Sequence, residues 1–129
     1  MEQNEKGKKI LLCEDEEFVA RSYMRKLQFE GYTVLHAHNG KEGLELMRKE
    51  KPDLILLDLM MPLKNGFEVL KEMMADDELK NITVIVASNL GQRTDIDEAT
   101  RLGAKDYIVK SNVSLRELVE KVKGYLPAQ

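Results

Sequence analysis

The sequence predicts an open, doubly wound α/β domain: a five-stranded parallel sheet with five helices on its two faces. Two observations carry this. Five short runs, Lys9–Cys13, Tyr32–Ala37, Asp53–Asp58, Ile82–Ala87 and Tyr107–Val109, are apolar nearly throughout rather than alternating, as strands covered on both faces are. The segments between them repeat apolar residues at helical spacing, and short connections joining β-α units build a parallel sheet.

Residues 1–7 are polar and are expected to fray. The first strand contains Cys13, the one cysteine, which excludes an intrachain disulfide and reads as a buried structural thiol. Val19, Ala20, Tyr23, Met24 and Leu27 share one face of the first helix, and Gly31 stands where a left-handed C-cap belongs. Gly40–Glu50 reads as the second helix, weakened by Gly43. Pro52 and Asp53 start the third strand. Phe67, Leu70, Met73 and Met74 mark one face of the third helix, and Gly103 closes the fourth. Ser114-Leu115-Arg116-Glu117 is a capping box that starts the fifth helix, whose apolar face is Leu115, Leu118, Val119, Val122 and Leu126. Met24, Met47, Met73 and Met74 read as core filler. The chain thus divides into a flexible segment 1–7, one domain 8–126 and a tail 127–129.

The composition fits one core, with 129 residues of which 43% are hydrophobic. The net charge of −3 shows no basic excess, so nucleic acid is not an expected partner. No run approaches the roughly 20 apolar residues of a membrane span. The start of the sequence lacks the apolar core of a signal peptide, so no membrane role and a cytoplasmic location are expected.

In a doubly wound fold the ligand site lies at the carboxyl ends of the strands. There the sequence places Glu14 and Asp15 after the first strand, Asp58 after the third, Ser88 after the fourth and Lys110 after the fifth. Three carboxylates in one crevice repel strongly unless a cation lies among them. Hard oxygen donors suit Mg²⁺, with Mn²⁺ also acceptable. Glu14 and Asp15 also fit the acidic first turn of a helix, and for Glu16 and Glu17 that is the preferred reading. A lysine ending a buried strand calls for an anionic partner, which Asp58, or a phosphoryl group on it, supplies. Carboxylate nucleophile, metal, lysine and hydroxyl together make a phosphoryl-transfer site. A directly bound nucleotide or flavin is disfavoured, because the turn after the first strand is acidic and has no glycine.

These residues resemble the receiver domain of two-component response regulators, including the stand-alone chemotaxis-type regulators, over about residues 8–126. The motifs that carry the resemblance are Ile10-Leu11-Leu12-Cys13-Glu14-Asp15-Glu16, Pro52-Asp53-Leu54-Ile55-Leu56-Leu57-Asp58-Leu59-Met60-Met61-Pro62 with Gly66, Val84-Ile85-Val86-Ala87-Ser88, and Gly103-Ala104-Lys105-Asp106-Tyr107-Ile108-Val109-Lys110. The resemblance implies a flavodoxin-like sheet of strand order 2-1-3-4-5. It implies Asp58 as phospho-acceptor, with Glu14, Asp15, Asp58 and the backbone carbonyl of Met60 holding Mg²⁺. It further implies Ser88 as the switch hydroxyl, Lys110 as the lysine paired with the phosphoryl group and Tyr107 as the switch aromatic. The chain departs from the commonest pattern at Ser111, where proline usually follows the lysine through a cis bond. Two geometries stay open there: trans with the lysine re-aimed, or cis at about 2.5–4 kcal/mol. Apolar Met60 and Leu90 are expected to shield the phosphoryl group and slow its hydrolysis, and Asn89 to restrict access.

The function the resemblance implies is a phospho-switch. A histidine kinase or histidine phosphotransfer protein donates to Asp58, and the face of fourth helix, fifth strand and fifth helix changes its affinity for a downstream protein partner. The chain is expected to act as a monomer or a phosphorylation-dependent dimer, and as a self-phosphorylating switch rather than a turnover enzyme. The rival readings are a non-phosphorylated pseudo-receiver scaffold and an aspartyl-phosphate phosphatase. Met60 argues against the phosphatase, because such enzymes carry a second aspartate at that position.

Overall fold

The apolar-throughout strands are explained by their place in the sheet. The computed structural model describes residues 8–128, so the expected frayed segment 1–7 and the last residue of the tail lie outside the described residues. In chain order the elements are β1 (Lys9–Cys13), α1 (Glu17–Phe29), β2 (Thr33–Ala37), α2 (Gly40–Glu50), β3 (Leu54–Leu57), α3 (Gly66–Met74), β4 (Thr83–Ser88), α4 (Arg93–Arg101), β5 (Asp106–Val109) and α5 (Leu115–Tyr125). A single 3₁₀ turn, Lys110–Asn112, joins β5 to the α5 region. All strand pairs are parallel, and the order is β2-β1-β3-β4-β5, as expected.

Within each strand, successive side chains point to opposite faces. Leu11, Cys13, Ile55, Leu57, Val84 and Val86 therefore enter one core, with Leu44 and Met47 of α2, Val69, Leu70 and Met73 of α3 and Ala99 of α4. Ile10, Leu12, Leu54, Leu56, Ile85 and Ala87 enter the other, with Ala20, Tyr23 and Leu27 of α1 and Leu118, Val119 and Val122 of α5. Two helical layers are thus written into the apolar runs of the three central strands.

The turn chemistry also follows the sequence. Gly31 and Gly103 take positive φ angles of 105° and 111° after α1 and α4, where a side chain would be strained. The capping box of α5 is formed, with the Glu117 N–H donating to Ser114 Oγ at 3.1 Å and the Ser114 N–H donating to Glu117 Oε1 at 2.8 Å. Cys13 is fully buried and its thiol is pushed up to about 12, chiefly by desolvation.

Three expectations need correction. Strand edges shift by a residue: Tyr32 and Ile82 precede β2 and β4, whereas Ser88 is the last residue of β4. Asp53 and Asp58 flank β3 rather than belonging to it. Met74 is not core filler: α3 buries Gly66, Val69, Leu70 and Met73, and Met74 lies 46% exposed beside Gly103. A spacing of one residue turns a side chain through about 100° on a helix, so Met73 and Met74 cannot both face the sheet.

Candidate functional site

β1 lies between β2 and β3, so the connection after β1 leads to one side of the sheet and the later strands build the other. Their carboxyl ends bracket a crevice at this reversal of strand order. Cys13 and Leu57 are register partners, and the Asp58 N–H donates to the Cys13 carbonyl at 3.0 Å. This pairing puts Glu14 and Asp58 side by side directly past the last paired residues.

Glu14 and Asp58 are buried, at 2% and 5% exposure, and Asp15 is exposed. One carboxylate oxygen from each of Glu14, Asp15 and Asp58 lies within 4.8 Å of the others. Lys110 reaches across from the end of β5 and donates from Nζ to Glu14 Oε1 at 2.7 Å and to Asp58 Oδ2 at 3.1 Å. The other oxygens are also held: Asp58 Oδ1 accepts from the Met60 N–H at 3.1 Å, and Glu14 Oε2 from the Glu16 N–H at 3.1 Å. Burial pushes the Glu14 carboxyl above its ordinary value, against the opposing pull of Lys110. Burial alone would lower Lys110, but the hydrogen bond to Glu14 and the charges of Asp58 and Glu14 outweigh it and hold the ammonium above its usual range.

Three carboxylates against one ammonium leave the crevice negative. The cleft is open to solvent and is lined by Glu14, Asp15, Glu16, Glu17, Asp58, Met60, Asn89 and Lys110. This hard-oxygen donor set, part buried and part wet, fits a small divalent cation that retains water.

The remaining predicted residues surround this centre at different depths. Met60 sits at its rim, 55% exposed. Ser88 is fully buried, and its Oγ accepts from the Leu90 N–H at 3.2 Å, so the hydroxyl is engaged below the cleft and does not line it. Tyr107 is half-buried, and its hydroxyl donates to the Leu90 carbonyl. Desolvation first, then the charges of Asp95 and Asp58, push its phenol up to about 12. The Leu90 backbone is therefore held at both its polar groups, by Ser88 and Tyr107. The Leu90 side chain packs against the α2–α3 core rather than over the cleft, which removes it as a shield and leaves Met60 and Asn89 at the mouth. No cis peptide occurs among the described residues, so Lys110–Ser111 is trans.

Two glycines let backbone segments meet here. A Cβ on Gly66 would lie 2.5 Å from the Asp58 carbonyl and 2.7 Å from Leu59 Cα, and one on Gly40 would lie 2.1 Å from the Lys64 carbonyl. Sequence reasoning missed His36, whose Nε2 lies 2.8 Å from the Glu14 carbonyl. The signal was a histidine inside the apolar run Val34-Leu35-His36-Ala37.

Residues 10–123 match the family model of the response regulator receiver domain. The chain is 34% identical over 119 residues to the polar-differentiation response regulator DivK of Brucella anthropi, covering 92% of this chain and 96% of that protein. It is 37% identical over 102 residues to protein PilH of Pseudomonas aeruginosa, covering 79% of this chain and 84% of that protein. Among solved structures, the receiver domain of a Francisella response regulator superposes with a TM-score of 0.85 at 30% identity, covering 92% of this chain and 95% of that one.

Proposed function

The chain belongs to the response regulator receiver domain family of two-component signalling, and from that premise we propose that Asp58 takes a phosphoryl group from a phosphohistidine in a Mg²⁺-dependent reaction. The observation that carries this reading is the Lys110 ammonium held at 2.7 and 3.1 Å between Glu14 and Asp58, beside the exposed Asp15. A carboxylate oxygen of Asp58 attacks phosphorus, the P–N bond to the donor imidazole breaks, and the electron pair leaves on that nitrogen. Lys110 offsets charge on the phosphoryl oxygens. Glu14, Asp15, Asp58 and the Met60 carbonyl would hold Mg²⁺, which supplies further charge neutralisation there.

The donor is a histidine kinase or a histidine phosphotransfer protein. The Ser88 hydroxyl, drawn to the new phosphoryl oxygens, would give up the Leu90 N–H, and the loop that Tyr107 also holds would shift with it. The α4–β5–α5 face would then change its affinity for a downstream protein, a population shift set by a local charge change. The chain so read is a cytoplasmic phosphoprotein that modifies itself rather than a turnover enzyme, and phosphorylation-dependent dimerisation is one form its output could take.

The test is intact-protein mass after incubation with acetyl phosphate, with and without Mg²⁺, for wild type and Asp58→Ala. The expected result is a Mg²⁺-dependent gain of one phosphoryl group in wild type that is lost in the variant. No gain in either protein, or equal gain in both, would replace this reading with the scaffold one.

A further inference from the structure

Every polar group of Glu14 is engaged, and one of its partners is a side chain from an edge strand. The Glu14 N–H donates to the Ala37 carbonyl at 3.0 Å, Oε2 accepts from Glu16 and Oε1 from Lys110. The remaining group, the carbonyl oxygen, meets His36 Nε2 at 2.8 Å. A carbonyl only accepts, so Nε2 carries the proton. His36 stands on β2 in register with Leu12, which lets its ring reach past the end of β1. The ring is itself supported: His38 packs on it with centroids 4.1 Å apart. His38 in turn lies 3.2 Å from Glu17 and 3.1 Å from Glu42.

The carbonyl that His36 holds belongs to the peptide joining Glu14 to Asp15. Displacement of that peptide would carry with it the two Cα atoms on which both acidic side chains are mounted. Glu14 has its other anchors, whereas Asp15 is exposed and its carboxylate makes no hydrogen bond or ion pair among the described residues. The direction of Asp15 therefore depends on its backbone. Such outer contacts commonly set how well ligands are presented to a metal.

We propose that His36 is a positioning residue: its Nε2–H fixes the Glu14–Asp15 peptide so that both carboxylates face Asp58, and thereby sets the affinity of the cleft for a divalent cation. This rests on the reading that Glu14 and Asp15 hold Mg²⁺. The test is an Mg²⁺ titration followed by the amide NMR shifts of Asp15, Asp58 and Met60, in wild type, His36→Gln and His36→Met. Glutamine and methionine are similar in length, and only glutamine keeps a donor near the Nε2 position. The expected result is a Kd weakened about tenfold in His36→Met and within about threefold of wild type in His36→Gln. Thermal midpoints without Mg²⁺ are read alongside, because a purely structural role would lower them without separating the two Kd values. His36→Thr, a strand former too short to reach the carbonyl, replaces His36→Met if that variant does not fold. A wild-type Kd in the donor-free variant, or equal weakening in both, overturns the proposal alone. A wild type that shows no Mg²⁺-dependent shifts overturns it together with the metal reading.

Discussion

Lys110→Met tests the charge balance of the cleft most directly. The lysine, 9% exposed at its side chain, contacts Glu14 and Asp58, whose side chains are 2% and 6% exposed. At 2.7 and 3.1 Å and an effective dielectric constant of about 20, each pair is worth about 5–6 kcal/mol of gross attraction. Desolvation of the ammonium offsets much of that gain, but methionine leaves two buried carboxylates facing each other with no cation between them. Breaking a buried ion pair on one side costs about 3–5 kcal/mol, and that is the loss expected near pH 7 without Mg²⁺. The loss depends on pH in a defined sense. Burial already raises Glu14 above its ordinary 4.5, and removing Lys110 raises it further. A carboxyl raised in the folded state favours folding below its unfolded value and loses that contribution as pH rises through the folded value. The deficit of the variant should therefore be small near pH 4 and grow from there towards pH 7. At one fixed concentration of Mg²⁺ each folded state gains according to how tightly it binds the ion, and the variant, having lost the ammonium that competes for the carboxylates, should gain more than wild type and recover part of the deficit. Urea denaturation at both pH values, with and without Mg²⁺, measures all of this. A loss under about 1 kcal/mol at pH 7, or an equal loss at both pH values, would refute the reasoning.

Gly66→Ala places a Cβ against the Asp58 and Leu59 backbone and should cost about 2–4 kcal/mol in urea denaturation, whereas Gly124→Ala, with open space around it on α5, should gain about 0.5–1 kcal/mol. Lys51 caps α2 with a φ of 48°, so Lys51→Gly should raise the denaturation midpoint by the equivalent of about 0.5–1 kcal/mol. Met60, exposed at the rim of the cleft, should slow hydrolysis of the phosphoryl group. Met60→Asn should shorten the phospho-state lifetime by up to about tenfold through a better-placed water, read by the loss of phosphoprotein mass with time. An unchanged lifetime would assign the shielding elsewhere.

The strand-helix alternation and the polar residues at four of the strand ends were legible because they rest on local chemistry, whereas the strand order came only with the family resemblance. An unbroken apolar run demands cover on both faces, and Gly31, Gly103 and the Ser114 capping box announce where helices stop and start. Met74 was misread because the helical period tolerates an error of one residue while packing does not.

The sequence alone therefore placed Glu14, Asp15, Asp58 and Lys110 together at the carboxyl end of the sheet, since a buried strand ending in aspartate or lysine carries that information in a few consecutive residues. Only the tertiary structure decided how they are used. It turned Leu90 into the core, engaged the Ser88 hydroxyl with a backbone N–H, kept Lys110–Ser111 trans and brought His36 onto the Glu14 carbonyl. Each of these depends on contacts between segments far apart in the chain or on the path of a loop, which no local pattern of residues records.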